Sequence, residues 1–391
     1  MKHIKQNLFI GLIIIACLAA TPIRLFDVVD EDDMASNSAA KLSSQQSIKA
    51  YVDNNKNKNA LINGGMEIAQ RGTSFISTTT PANSDDTFLL DRWILLSDQN
   101  DIVDVTQQSA GGVSGNENYI RLDVETAAKK FGICQIIENK NCKGMIGGTV
   151  SLSFEAKVTN ATKLSDIRAA VLAWDSTADT VTSDLVATWE AEGTIITPAA
   201  NWTAENAAAN LGVTTSWVKY TISGISIDTA SAANIAVFIY QNNVATNDTA
   251  GIFLEITNVQ LEASTKATDF EYRQFGDELA KCQRYYTKSY DSTTAPGTAA
   301  TLGIVSFIIQ AVASADHVVG NSAHFPAMRA IPTITLYDAA GTAGKVTMAA
   351  GNNIAGTTVD IGFSGFRAYG TNGAASTTRQ IYFHFTASAE L

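Results

Sequence analysis

Residues 149–158 have the sequence TVSLSFEAKV, in which polar and apolar side chains alternate from end to end. Successive side chains of a β-strand point to opposite faces, so this alternation predicts a strand with one buried face. We expect Val150, Leu152 and Phe154 to lie in a core between two sheets.

Further segments of the chain carry strand patterns, and no long helical pattern separates them. The segments are Val218 to Ile227, Ile235 to Tyr240, Ile252 to Leu261, Thr333 to Tyr337, Lys345 to Met348 and Gln380 to Ala387. Several short strands without long helices predict a mainly β protein built on a β-sandwich. In the last segment Ile381, Phe383 and Phe385 share one face, which makes His384 an outward strand residue.

One helix is predicted between the β regions, near Asp277 to Tyr286, with Asp277 as a possible N-cap. A second short helix is predicted in the polar connector at 21–58, where Ile48, Tyr51 and Val52 have helical spacing. An isolated helix of this length is marginal, so it should pack against copies of itself or against the next domain.

The first twenty residues form an apolar leader, in which Lys2 and Lys5 precede the run Leu8 to Ala20. This order is typical of a secretory signal, and the residues before Cys17 are similar to the site at which bacterial lipoproteins are lipidated. The alternatives are a virion-attachment peptide or an upstream extension that was never a signal. The run is too short to predict a membrane span.

Composition excludes some classes of function. The formal net charge of −11 repels phosphate backbones, so nucleic acid is not expected as a partner. The four cysteines lack metal-ligand spacing, and Cys134 and Cys142 are either bridged across a hairpin or, as we favour, buried thiols. With four histidines and no nucleophile-elbow motif, the chain is not predicted to be an enzyme.

Several segments resemble, in order, parts of tailed-phage tail-fibre and virion structural proteins. They are Asp32 to Ser36 and Ser44 to Asp53 in the connector, then Leu61 to Glu67, Gln70 to Gly72 and Asp91 to Trp93, then Asn258 to Glu262, Ala267 to Glu271, Cys282 to Tyr286 and Phe383 to Leu391. The resemblance covers most of the chain but not the apolar leader, which a protein assembled in the cytoplasm would not need.

The resemblance implies a jelly-roll β-sandwich at 59–273 and a smaller C-terminal β domain at 274–391. It also implies a homotrimeric adhesin of the virion tail, which contacts other tail proteins and binds a cell-envelope receptor such as a glycan. Two other functions stay open. One is a secreted or lipid-anchored bacterial carbohydrate-binding protein, which the leader favours. The other is a glycoside hydrolase or depolymerase. This hypothesis is disfavoured, because the sequence shows no recognisable pair of catalytic carboxylates.

The opening Asn-Gly-Gly-Met-Glu at 63–67 and the closing Asn-Val-Gln-Leu-Glu at 258–262 are also similar to the ends of carbohydrate-binding-module jelly rolls. Such modules often hold a structural calcium ion, which implies Glu67 and Asn258 as its ligands here. The alternative is that Glu67 is a solvated charge at the end of a strand.

Sugar recognition requires exposed aromatic rings, because their faces stack on the C–H faces of pyranose rings. Trp202, Trp189 and Trp174 are the predicted glycan-binding residues, whereas Trp93 and Trp217 are assigned to the core. Trp202 ranks first, because 193–216 is predicted to be a long loop and loops often carry function. On this hypothesis Trp202→Ala weakens glycan binding and leaves thermal unfolding unchanged.

Overall fold

The computed structural model describes residues 28–29, 42–48, 58–76, 83–112, 116–228, 232–243, 251–309, 322–348, 352–370 and 379–391. The chain divides into two compact units, Met1–Lys58 and Asn59–Leu391. The predicted division at residue 273, inside the second unit, stays a prediction.

In chain order, the strands of the described residues are Val28–Val29 (β1), Leu42–Ser43 (β2), Ser74–Phe75 (β3), Thr87–Phe88 (β4), Ile94–Ser97 (β5), Val103–Gly111 (β6), Asn116–Val124 (β7), Phe131–Ile137 (β8), Thr149–Val158 (β9), Ile167–Trp174 (β10), Val186–Thr188 (β11), Thr197–Pro198 (β12), Trp202–Ala204 (β13), Val218–Ser226 (β14), Asn234–Gln241 (β15), Phe253–Glu262 (β16), Tyr286–Lys288 (β17), Val305–Ile309 (β18), Ser322–His324 (β19), Thr333–Tyr337 (β20), Lys345–Met348 (β21), Asn352–Gly362 (β22), Gly365–Gly370 (β23) and Arg379–Ser388 (β24). Helices in the second unit are Asn139–Cys142 (α1) and Phe275–Gln283 (α2). This content confirms the prediction of a mainly β protein.

In the first unit, β1 pairs with β2 in parallel, and residues 45–48 are helical. The backbone N–H of Ser47 donates to the Ser44 hydroxyl at 2.9 Å, so Ser44 caps this helical turn. The apolar leader, and Tyr51 and Val52 of the predicted connector helix, lie outside the described residues.

The strand predicted at 149–158 is β9, and it lies in a sheet that we call the front sheet. The strand order of this sheet is β14, β9, β16, β7, β6 and β3, with antiparallel pairing throughout. Val150, Leu152 and Phe154 are buried in the main core, as predicted. The front sheet therefore has one apolar inner face and one polar outer face.

A second sheet, the back sheet, covers the other side of this core. Its order is β13, β10, β15, β8, β5 and β4. Every residue of β10 and β15 is buried, because alternate side chains enter two different cores. Val171 and Val237 face the front sheet, whereas Leu172 and Phe238 enter a second cluster outside the back sheet. Two covered faces explain why these strands are almost continuously apolar. The two sheets form the predicted sandwich.

The C-terminal sheet is organised around β24, which pairs with β17, β18, β20 and β21. Ile381, Phe383 and Phe385 are buried together in its core, as predicted. The outward placement of His384 is wrong, because this side chain is also buried. Its ring stacks on Tyr290 with centroids 3.9 Å apart, and burial lowers the pKa of His384.

Helix α2 precedes the C-terminal sheet and begins two residues before the predicted start. Gln274 is its N-cap and makes no side-chain capping bond, so the assignment of Asp277 as the cap is wrong. Asp277 lies instead in the first turn, where a carboxylate interacts favourably with the helix dipole. Cys282 and Tyr285 pack against Ile62 and Ile68.

Cys134, Cys142 and Cys282 are free thiols and all three are buried, as we favoured over a bridge. Burial raises the pKa of Cys142 to about 12, so this thiol is protonated and unreactive at neutral pH. Among the described residues, no helix has the length and apolar character needed to span a membrane.

Candidate functional site

The outer face of the front sheet carries the polar half of the pattern in β9. Ser153, Glu155 and Lys157 alternate with the core residues and point away from the core. The cross-strand register aligns these side chains with residues of β14, β16 and β7, which are distant in sequence.

One row across this face forms a cluster of two cations and one carboxylate. Glu255 on β16 lies opposite Lys157 on one side and Arg121 on the other. Its carboxylate accepts from Arg121 Nε at 2.7 Å and lies 2.9 Å from Lys157 Nζ. The Glu255 side chain is 1% exposed, whereas those of Arg121 and Lys157 are 27% and 28% exposed. The carboxylate therefore lies beneath the two cations, which reach the solvent.

Two aromatic rings meet beside this row. Trp217 precedes β14 and Tyr119 belongs to β7, and their rings pack edge to face with centroids 5.3 Å apart. Lys157 Nζ lies 5.3 Å from the Trp217 ring centroid, and Arg121 Nη2 donates to the Tyr119 hydroxyl at 3.1 Å. Trp217 is partly exposed. We call Tyr119, Arg121, Lys157, Trp217 and Glu255 the sheet-face patch.

A glycine of β6 makes room for one of these rings. A Cβ atom on Gly111 would lie 2.2 Å from a ring carbon of Tyr119, far inside van der Waals contact. Because Gly111 has no side chain, the Tyr119 ring can lie close against the sheet. In that position it packs edge to face with Trp217.

A groove of about 230 Å³ lies beside the patch on the same face. We call it the Lys219 groove, and its lining residues are Ser153, Glu155, Lys219, Asn258, Asp269, Phe270 and Tyr272. Lys219 follows Trp217 by two positions and donates to the Thr268 carbonyl at 2.7 Å. Tyr272 is 58% exposed and packs edge to face on Phe270. The face thus offers aromatic rings at both ends, with charged and amide groups between them.

Two of the predicted glycan-binding tryptophans are not exposed. Trp174 and Trp202 are 3% and 5% exposed, and their rings pack 5.2 Å apart outside the back sheet. The expectation of exposed rings is wrong for these two residues, because 193–216 contains two short strands, β12 and β13. Within it, β13 pairs with β10 and draws Trp202 against Trp174.

Trp189, the third predicted ring, is partly buried and makes edge contacts with Phe238 and Tyr240. None of the three rings lies on the outer face of the front sheet. Glycan contact by Trp189 stays a prediction, and it concerns the opposite side of the sandwich.

We expect Trp202→Ala to lower the free energy of unfolding by about 3 kcal/mol, because it empties a buried site on β13, the edge strand of the back sheet. Denaturant unfolding of wild type and variant measures this loss. Glycan binding by the folded variant should be unchanged. Weaker binding with an unchanged unfolding midpoint would restore the original hypothesis.

The structure brings the segments of Glu67 and Asn258 together, since the backbone N–H of Val259 donates to the Gly64 carbonyl at 3.0 Å. Their side chains, however, line different cavities. Glu67 lines a cavity with Arg273, which pairs with Glu271 and Glu278 at 3.1 Å each. Asn258 lines the Lys219 groove.

Calcium requires six to eight oxygen ligands around one point. Glu67 and Asn258 line different cavities, and each cavity is also lined by a cationic side chain. The described part of the chain holds no group of three or more acidic, histidine or cysteine side chains suited to a metal ion. Calcium binding therefore stays a prediction.

The sheet-face patch was not predicted from the sequence, because Trp217 was assigned to the core. One local signal was available: Trp217, Lys219 and Thr221 occupy alternate positions, and the latter two are polar. A strand whose lysine faces outward places a tryptophan two residues earlier on that same outer face.

No protein-family model matches the sequence, and no curated protein matches it. Among solved structures, the chain is similar to the enzymatically active domain of tailspike protein 4 of bacteriophage CBA120, with 13% identity and a TM-score of 0.29. The match covers 57% of this chain but only 22% of the tailspike chain.

Two further matches each cover nearly the whole of the other chain. One is a xylan-binding domain of CBM 22, with 10% identity over 52% of this chain and 99% of that one, at a TM-score of 0.29. The other is CtCBM11, with 13% identity over 48% of this chain and 99% of that one, at a TM-score of 0.26.

Proposed function

We propose that the outer face of the front sheet binds a glycan. The observation that carries this proposal is the sheet-face patch beside the Lys219 groove. Trp217 and Tyr272 supply partly exposed rings that can stack on sugars, and the charged and amide side chains between them can bond hydroxyl groups. The groove is smaller than the roughly 300–1,000 Å³ of enclosed ligand sites, which suits a chain of sugars bound along a surface.

We further propose that the protein is a non-enzymatic adhesin of a phage tail fibre, acting as a homotrimer on the outside of a virion. The order of tail-fibre-like segments in the sequence supports this role. Repetition of one weak site in three subunits would raise the apparent affinity for a cell surface through avidity. The alternative is a secreted or lipid-anchored bacterial glycan-binding protein, which would use the same face.

We expect Trp217→Ala to weaken glycan binding about tenfold per site, because loss of one stacked ring removes roughly 1–2 kcal/mol. A glycan array first identifies ligands of the wild-type chain, and titration then compares the affinities of wild type and variant. Phe363→Ala is the matched control, since Phe363 is an exposed aromatic residue in the turn between β22 and β23. Equal affinities of Trp217→Ala and wild type would remove this face from the proposal and leave Trp189 as the next candidate.

A further inference from the structure

We infer that the preferred ligand is an acidic glycan, one whose sugars carry carboxylate groups, and that the carboxylate binds at the sheet-face patch. This inference rests on the proposed function and specifies its substrate class. It comes from the charge of the patch and from the depth at which each charge lies.

The sheet-face patch contains two cations in a chain whose formal net charge is −11, and the carboxylate of Asp123, two positions along β7, interacts with Arg121 from one side. Two cations, Arg121 and Lys157, share the single carboxylate of Glu255. Both cations reach the solvent, whereas Glu255 is almost fully buried beneath them. A carboxylate arriving from solvent therefore meets the cations first.

The contacts that fix Arg121 in place strengthen the preference for a carboxylate. Arg121 is held by the Glu255 carboxylate, by the Tyr119 hydroxyl and against the Phe253 ring, whose centroid is 4.3 Å from the guanidinium carbon. A cation that is fixed before binding loses little side-chain entropy when a ligand arrives. Charge-assisted hydrogen bonds from such groups to a carboxylate are stronger than bonds to a neutral hydroxyl.

The neighbouring groove has a different charge balance. Lys219 lies opposite Glu155 in the strand register and 3.4 Å from the carboxylate of the exposed Asp269. Two carboxylates thus accompany one ammonium, and an acidic sugar would be repelled there. The geometry places the ligand's carboxylate at the Arg121 and Lys157 end, with a less charged part of the glycan over Tyr272.

The test compares acidic glycans with their own neutral derivatives. Immobilised alginate, polygalacturonate and hyaluronan are each presented beside a carboxyl-reduced form, in which the acid becomes a hydroxymethyl group. The full chain is expected to bind at least one acidic polymer about tenfold more tightly than its reduced form, and added salt should weaken only the acidic interaction.

Substitutions of Lys157 assign the preference to the patch. Lys157→Gln is expected to lower the acidic-to-reduced affinity ratio severalfold, and Lys157→Arg to retain it. The control Lys143→Gln, at the exposed C-cap residue of α1, is expected to leave the ratio unchanged. Melting temperatures show whether each variant is folded.

The outcomes separate this inference from the proposed function. Equal binding to acidic and reduced forms, or binding to neutral glycans alone on the wider array, overturns the acidic preference and leaves glycan binding intact. An unchanged ratio in Lys157→Gln overturns the assignment to the patch. Absence of binding to any glycan overturns both proposals.

Discussion

Phe154→Ala is expected to lower the free energy of unfolding by about 3–5 kcal/mol, the range found when buried aromatic residues are truncated. Phe154 lies on the inner face of β9 and is 1% exposed. Its ring packs beside Tyr220 on the neighbouring strand, with centroids 5.9 Å apart. Truncation would leave a cavity between two sheets that are held apart by their other side chains.

Denaturant unfolding of wild type and variant measures the loss. Phe363→Ala serves as the control, because its ring is 54% exposed and its removal should change the unfolding free energy little. A loss below about 1 kcal/mol for Phe154→Ala would contradict the placement of this ring in the core.

The success of the β9 prediction has a simple physical origin. A strand with one buried face shows its orientation directly in its sequence, because the side-chain period is two. The same rule correctly grouped Ile381, Phe383 and Phe385 on β24. It failed for His384 because polar residues between buried ones were taken to face solvent. Tyr290 covers that side of the strand, a contact that only the tertiary fold reveals.

The packing of the back sheet could be predicted only in part from the sequence. Ile235 to Tyr240 is apolar on both faces, so its sequence predicts burial without saying what covers each side. The cover includes β11 and also β13, a short strand within 193–216, which was predicted to be a long loop. Trp202 was therefore predicted to be exposed, because its neighbours in sequence are polar. In the structure it packs against Trp174 and the back sheet.

The candidate site was harder to predict than the fold, because it is assembled by strand register. Arg121, Lys157 and Glu255 are separated by tens of residues, and nothing local in any of the three strands marks them as partners. The order of strands in the front sheet is what places Glu255 between the two cations. A sequence can show that each residue faces outward, but the shared row requires the topology.

The second large effect is expected at the C-terminal end of the chain, where Glu390 lies between two buried arginines. Its carboxylate pairs with Arg71 at 2.9 Å and also with Arg92. The guanidinium carbons of Arg71 and Arg92 lie 3.7 and 3.8 Å from the ring centroids of Tyr286 and Tyr285, respectively. Burial lowers the pKa of Arg92 to about 10, a value that still keeps it charged at neutral pH.

Glu390→Gln keeps the shape of this side chain and removes its charge. It would leave two buried cations without their carboxylate, and breaking a buried ion pair in this way costs about 3–5 kcal/mol. Because Arg71 and Arg92 precede strands of the sandwich while Glu390 follows β24, the loss should loosen the attachment of the C-terminal sheet to the sandwich.

The measurement is denaturant unfolding of Glu390→Gln beside Asp175→Asn, a control that neutralises an exposed carboxylate. A second variant combines Arg92→Met with Glu390→Gln and so removes one of the two cations that have lost their carboxylate. It should recover part of the lost stability, since an apolar residue of similar length can replace a buried charge. An unfolding free energy for Glu390→Gln within about 1 kcal/mol of wild type would show that the two arginines do not depend on this carboxylate.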